Sequence, residues 1–454
     1  MYLKTIRLNN VRGFHSARNV ALDLTRPDGS FAGWTVLAGR NGSGKTSLLR
    51  AVALALGGPK VATYLVADFS RWLAAGQQSA MWQVRVIRDV RRDRFRGGEP
   101  WEGHPLSFGL SLDLPPESWR ERSDVEPLLG LLDDPTEPGS ATSGPWDANA
   151  SGWFCAAYGP FRRLADVSGS AHRPLPKNGP AARIAGLFDD NIPLAEGVSW
   201  LIEQHLRALE ARPGAESLKS AALAVLGDGL LPDGFQVRDV DSEGLWVERG
   251  GHRFPLREMS DGFRAVAALV VDLLKQLHDC YGGLDVEYAD GSPTVTAPGV
   301  VLIDEVDAHL HVSWQKRIGN WLKTHFPRIQ FIVTTHSPYI CQAADENGLI
   351  RLPGPDEDEP PRIVEQDLYE RIVYGSGDDA VMSELFGLDT PYSEEAVRLR
   401  RELVALETDV LLGSADEAAV RRYEDLRDRL SSSPAARADE LAARIVSDAE
   451  QRPR

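Results

Sequence analysis

The sequence predicts an α/β protein built on a parallel sheet, with a phosphate-binding loop at the end of one strand. Three observations carry this expectation. An apolar strand over residues 34–39 runs into the glycine-rich residues 39–47, and a segment of helical apolar spacing follows and stops at Gly57-Gly58. Between residues 234 and 352, strand-like and helix-like segments alternate, as they do where helices cover a parallel sheet. One of these strands, residues 300–303, is wholly apolar and ends in Asp304-Glu305.

The elements follow in chain order. Residues 2–24 contain two alternating apolar runs broken by Asn9-Asn10 and Arg12-Gly13, which reads as a pair of strands. Alternation returns in residues 81–90 and 106–114, the latter closed by Pro115-Pro116, so residues 1–116 are expected to form an N-terminal lobe with an antiparallel β-subdomain. Residues 117–233 turn rich in Pro, Gly, Asp and Ser, with helical patches at 198–209 and 215–226, which predicts an inserted lid-like region of loops and helices. Residues 234–353 form the second lobe, with a strand at GLWVER, a helix over 262–277, the strand at 300–303, a helix over 312–326 and a strand from 329. The acidic, proline-flanked PGPDEDEPP opens a helical tail, residues 354–454. Its leucines do not sustain three heptads, which excludes a long coiled-coil arm.

At 454 residues, 43% hydrophobic and 26% charged, the chain can bury a large core and is neither disordered nor collagen-like. The longest apolar run, residues 265–274, carries Asp272 and falls short of the roughly 18 residues of a membrane span. The opening MYLKTIRLNNVRG has no apolar secretion segment, and Cys155, Cys280 and Cys341 form no paired motif, so a cytoplasmic protein without disulfides or a zinc ribbon is expected. The net charge of -16 repels a nucleic-acid backbone unless basic residues are gathered. They are gathered at residues 85–96, with six arginines, and again at Arg162-Arg163. That stretch reads as a solvated edge strand or as a nucleic-acid or partner surface.

Four motifs carry chemistry. Gly39-Arg40-Asn41-Gly42-Ser43-Gly44-Lys45-Thr46 matches G-x-x-x-x-G-K-[ST] between a strand and a helix. There the glycines let backbone N–H groups surround phosphates, Lys45 reaches the β- and γ-phosphates, and Thr46 offers its hydroxyl to Mg²⁺. Asp304 belongs to the Mg²⁺ shell in such an enzyme, and Glu305 can orient and deprotonate the attacking water. His336, in Thr334-Thr335-His336-Ser337-Pro338 after the strand from 329, could reach the γ-phosphate and that water. Ser260 and Gly262, in Met259-Ser260-Asp261-Gly262-Phe263-Arg264, open an apolar helix, and such a helix start is a cap or a phosphate acceptor. His309 and His311 sit where a helix starts and do not face each other, so they are not expected to bind metal.

In this order the four motifs resemble the ATP-binding-cassette class of ATPases, in particular its SMC, RecF and OLD branch. The resemblance implies an ABC-type ATPase head in which two heads sandwich two ATP molecules with Mg²⁺, forming a homodimer or higher oligomer. Lys45, Thr46, Asp304, Glu305 and His336 would serve one half-site, and Ser260 with Gly262 the γ-phosphate of the opposite protomer. Asp307 matches the family's D-loop aspartate, Ser47 and Arg12 are further expected nucleotide contacts, and Gln83, or Gln77 and Gln78, is the expected Q-loop ligand of the metal. The signature departs from L-S-G-G-Q, with Asp261 and Phe263 in place of Gly and Gln. DEVDAHLHVSWQ, AYGPFRR and ELFGLDTPYSEEAVRLRREL also resemble stand-alone bacterial ATPases of the Septu-type anti-phage defence group, in which a separate nuclease subunit is common. No second catalytic module is visible in the sequence. The resemblance leaves open a RecF-like DNA-repair clamp and a membrane-importer cassette, although the latter fits poorly with the altered signature and large insertion.

Overall fold

Strands buried on both faces read as unbroken apolar runs, whereas strands with one wet face alternate. The chain uses both kinds, in the two largest of the four sheets among the described residues. A computed structural model describes residues 1–94, 105–115, 126–133, 145–146, 150–162, 179–190, 192 and 194–430. The chain opens with β1 (Tyr2–Asn9) and β2 (Val20–Asp23), enters the interior as β3 (Trp34–Ala38), and turns through the glycine loop into α1 (Lys45–Gly57) and α2 (Pro59–Leu65). Then come β4 (Ser79–Ile87), β5 (Leu106–Asp113), β6 (Leu128–Asp133), β7 (Cys155–Tyr158), α3 (Pro180–Ile184), α4 (Ala195–Leu209) and α5 (Ala215–Gly227). They are followed by β8 (Gln236–Asp241), β9 (Gly244–Arg249), β10 (His252–Pro255), the long α6 (Asp261–Tyr281), β11 (Val286–Ala289), β12 (Ser292–Val295) and β13 (Gly299–Ile303). After α7 (Val312–Gln315), α8 (Ile318–His325), β14 (Ile329–Thr334), α9 (Pro338–Cys341), β15 (Leu349–Arg351) and β16 (Arg362–Ile363), the chain ends in α10 (Gln366–Val373), α11 (Gly377–Val381), α12 (Glu394–Leu411) and α13 (Glu417–Leu430).

The central sheet has the order β16-β15-β3-β14-β13-β7 and is parallel except at the β15–β16 edge. Every residue of β3, β7, β13 and β14 is buried. Alternate residues feed two cores. Val36, Ala156, Val301 and Phe331 face a core shared with α6, α8 and α5, while Leu37, Ala157, Leu302 and Ile332 face one shared with α1 and the second sheet. That second sheet is antiparallel, ordered β2-β1-β4-β5-β6; β4 alternates, burying Ala80, Trp82, Val84 and Val86, whereas β5 is buried without a break from Leu106 to Leu110. The architecture is mixed α/β, as the sequence predicts. Parallel register brings the carboxyl ends of β3, β13 and β14 together, with Leu37 opposite Thr334 and Val333 opposite Ile303. Ligands of open parallel sheets bind at that edge.

Several expectations change. Cys155–Tyr158, read as part of an inserted region, is a strand of the central sheet, paired along β13 from Val300 to Ile303. Only Arg85 of the arginine-rich stretch lies in a strand, and that strand, β4, is no edge because it pairs with β1 on one side and β5 on the other; Arg88, Arg91, Arg92 and Arg94 follow it. Arg92 spends its charge on Asp285, and Arg96 and Arg163 lie outside the described residues. The predicted helix over 312–326 divides into α7 and α8 at Lys316–Arg317, and Gly319 inside α8 lies against Trp34 and Ala343 with no room for a Cβ. Packing divides the chain at Gly387, with Met1–Gly387 one compact unit and Leu388–Arg454 another. In the second unit α12 and α13 pack through Leu399, Leu403 and Leu426. Among the described residues no helix is long and apolar enough to cross a membrane.

Helix α6 is buried continuously from Ala265 to Leu277, which suits a helix walled in by a sheet and other helices. Asp272 takes a carboxylate into that interior. The Tyr158 hydroxyl donates to it at 2.9 Å, Gln276 approaches at 3.4 Å, and Lys275 and Glu196 are the charged groups nearby. Burial pushes its pKa up to about 6, against the opposing pull of the Tyr158 bond and Lys275. A carboxyl whose pKa is raised on folding contributes stability at low pH that is lost as the pH rises through about 6. Asp272→Asn, which stays neutral, should therefore melt with the wild type at pH 4 and above it at pH 8, by on the order of 1–3 kcal/mol in a denaturation series.

Candidate functional site

The loop between β3 and α1 owes its shape to its glycines. A Cβ on Gly39 would run into the Leu352 carbonyl, Gly42 and Gly44 have φ of 78° and 96°, and a Cβ on Gly44 would lie 2.6 Å from the Phe14 ring. Only glycine accepts these positions cheaply. Gly44 caps α1 without any side-chain bond, and the first turn carries no acid, so the free N–H groups of the helix start remain available to an anion. Lys45 folds back on the loop, donating to the carbonyls of Gly39 at 2.7 Å and Arg40 at 3.1 Å. Burial lowers its pKa, while Asp304, Glu305 and Asp307 pull the other way. The Ser43 hydroxyl is buried without a partner, and Asn41 is exposed at the loop tip.

Opposite the loop stands the end of β13. Thr46 Oγ1 donates to Asp304 Oδ2 at 2.7 Å, and Thr334 Oγ1, from the end of β14, donates to Asp304 Oδ1 at 2.5 Å. Thr334 also accepts the Glu305 N–H at 2.7 Å, and the Asp304 N–H donates to the Tyr158 carbonyl at 2.8 Å. Glu305 itself turns with φ of 45°, a left-handed conformation that is unfavourable for a residue with a side chain. Asp307 accepts from Thr335 Oγ1 and, at 3.4 Å, from the His336 N–H. His336 has its pKa lowered first by burial and then by Lys45, which keeps the imidazole neutral near pH 7.

Lys45, Thr46, Asp304, Glu305, Asp307 and His336 are thus gathered at one sheet edge. Arg12 reaches the same helix start, donating to Ser47 Oγ at 3.2 Å with its guanidinium 4.3 Å from the Trp72 ring centre. Ser260 is the exposed N-cap of α6, and the sheet-edge residues make no bond to it. Gly262 lies against the His309 carbonyl, where a Cβ would not fit. Gln83 does not join the site. It sits mid-strand in β4 between Arg7 and Gly109, on the row opposite buried Trp82 and Val84, and so faces away from the core that contains α1. His311 caps α7, accepting the Ser313 N–H at 3.3 Å. Two residues with no assigned role in the sequence reading belong to the site. Thr334 links both acids, and Arg162 donates to the Glu305 carbonyl at 2.7 Å.

A family model described as "AAA domain, putative AbiEii toxin, Type IV TA system" matches residues 91–342, more than half of the chain, and a further AAA domain model matches residues 5–69. The chain belongs to this AAA domain family. Among relatives of this AAA-domain chain, Septu protein PtuA of Bacillus mycoides (strain KBAB4) is 26% identical over 353 residues, 74% of the chain and 38% of that protein. The Retron Ec83 probable ATPase of Escherichia coli is 35% identical over 120 residues, 26% of the chain and 21% of that protein. The matched part is therefore well under half of either relative. Among solved structures, a Smc head domain with an extended coiled coil bound to the C-terminal domain of ScpA, from Pyrococcus furiosus, has a TM-score of 0.44 at 17% identity, covering 82% of this chain and 98% of that one.

Thr334→Val keeps the shape of the side chain and removes both bonds, leaving a buried carboxylate oxygen and the Glu305 N–H without their partner. A loss of about 1–3 kcal/mol in stability is expected, and unfolding curves of the two proteins check this.

Proposed function

We propose that this chain binds ATP with Mg²⁺ and hydrolyses it to ADP and phosphate, and that ATP-dependent pairing of two heads controls a separate effector, a nuclease in the first instance, in anti-phage defence in the cytoplasm. The observation that carries the reading is the 2.7 Å bond from Thr46 to Asp304, which holds the phosphate loop against the acidic strand end with Glu305 next in line. The site fits the nucleotide on its own chemistry. The glycine cradle admits no Cβ at Gly39 or Gly44, the buried Ser43 hydroxyl lacks a partner, and the helix start is uncapped by any side chain.

Thr46 and Asp304 would hold Mg²⁺, which when bound neutralises charge on the phosphate oxygens. Among the described residues no three His, Cys, Asp or Glu side chains are grouped to hold a metal, so the remaining oxygens come from nucleotide and water. Lys45 exchanges the carbonyls of Gly39 and Arg40 for phosphate oxygens. Glu305 takes a proton from the water that attacks the γ-phosphorus as the bond to the bridging oxygen of ADP breaks. His336, neutral and close to Asp307, orients the γ-phosphate. Ser260, the exposed cap of α6, makes no bond within its own site, and in a pair of heads about a two-fold axis it serves the partner's nucleotide. The effector and the defence role rest on likeness to the Septu and retron proteins.

Lys45→Ala should lose nucleotide binding, whereas Glu305→Gln should bind ATP and stall hydrolysis by about 100-fold or more. Equal loss of binding in both would contradict these roles. In light scattering with Mg-ATP, Glu305→Gln should accumulate as a dimer of heads, and Ser260→Trp should bind ATP yet fail to pair. A monomer that hydrolyses ATP at the wild-type rate would refute the two-headed mechanism.

A further inference from the structure

Arg162 lies four residues beyond β7 in the turn Tyr158-Gly159-Pro160-Phe161-Arg162, and its side chain runs inward, leaving it 6% exposed. Its guanidinium faces main chain, not a carboxylate. One nitrogen donates to the Glu305 carbonyl at 2.7 Å and approaches the Val306 carbonyl at 3.4 Å, while Nη1 is buried without a partner. Around it lie Ala265, Val266 and Leu269 of α6 and Ala308 and Leu310 of the loop after β13, an apolar lining that gives the charge nothing else to bond. A half-satisfied buried cation is costly, and in a stable fold the cost points to a function for the bond it does make. Asp307, Asp304 and Glu305 keep the group protonated even though burial lowers its pKa to about 10.

That bond falls on the backbone of Glu305. The Glu305 carboxylate makes no hydrogen bond to any described residue, which leaves it free to take a proton but also leaves nothing on the side chain to aim it. Its aim is set by the backbone alone. Three constraints act there: the left-handed φ of 45°, the N–H donated to Thr334, and the carbonyl held by Arg162. Without the Arg162 bond, the peptide after Glu305 can rotate toward a commoner conformation and carry the carboxylate with it.

We propose that Arg162 is a positioning residue for the hydrolytic step, clamping the Glu305–Val306 peptide so that the Glu305 carboxylate stays on the attacking water. The proposal rests on the hydrolytic reading of the site given above. Its second arm is mechanical. Arg162 lines one small cavity with Ala265, Val266 and Leu269 of the same α6 whose start carries Ser260, so the clamp ties the aim of Glu305 to the seat of that helix.

The test uses the full chain in five variant forms: Arg162→Lys, Arg162→Gln, Glu305→Gln, and Glu305→Gln combined with each of the two Arg162 changes. Two different replacements are used so that a folding failure in one leaves the other. Affinity for a fluorescent ATP analogue, melting temperature and single-turnover hydrolysis are read for each. The expected result is a fall in the hydrolytic rate of about 10-fold to 100-fold for either Arg162 variant, with nucleotide affinity changed less than about threefold. In the Glu305→Gln background the same Arg162 changes should cost less than about twofold more, because a clamp has nothing left to aim. Losses that multiply in the double variants, a rate unchanged in the single ones, or affinity falling in step with rate would each overturn the proposal. An undiminished rate in Glu305→Gln alone would instead overturn the hydrolytic reading, and the clamp with it.

Discussion

The site depends on one hydrogen bond between two segments that begin more than two hundred residues apart. Thr46 starts α1 and Asp304 ends β13, and the bond between them requires β3, β14 and β13 to lie in register. A one-residue slip of β14 would turn Thr334 to the other face of the sheet and remove the second bond to Asp304. The packing therefore serves the register. Strands buried on both faces fix it strongly, because any slip would exchange the residues of two different cores.

Charge is arranged around that bond as a balance that neither sign wins alone. Asp304, Glu305 and Asp307 lie within electrostatic reach of Lys45 and Arg162, and the three acids oppose the loss of charge that burial imposes on both cations. Asp304 and Asp307 are in turn tied by hydroxyls, through Thr46, Thr334 and Thr335, more than by ion pairs, while the Glu305 carboxylate is left untied. Hydroxyls suit a site whose ligand brings its own charge. They hold the carboxylates in place without neutralising them, and they yield a lone pair when an ion arrives.

What the sequence disclosed and what it withheld follow from the range of the signals. The glycine loop, the apolar strand ending in two acids and the Thr-Thr-His strand end are local patterns, and the structure brings them together. Cys155–Tyr158 is a strand because β13 pairs with it, and its alanines carry no strand preference of their own. Arg162 was counted among surface charges, as an arginine usually is, yet only the fold shows that its side chain turns inward. Gln83 had no local signal, and its place in β4 follows from the alternation with Trp82 and Val84. That β4, which carries Arg85, is not an edge depends on β1 and β5, and partners on both sides cannot be read from one segment.

The strand order has a consequence for how the protein comes to exist on the ribosome. β3 is complete by Ala38, but its partner in the sheet, β14, ends at Thr334, and β7 waits from Tyr158 for β13. At roughly 5–20 residues per second, the glycine loop leaves the ribosome about 13–52 s before the acids that face it. For that interval the nascent chain carries apolar strands with unpaired edges, a condition that favours aggregation. The antiparallel strands β1, β2, β4 and β5 can pair much sooner, all lying within the first 113 residues. They give α1 an apolar surface to rest against while the rest of the central sheet is being made.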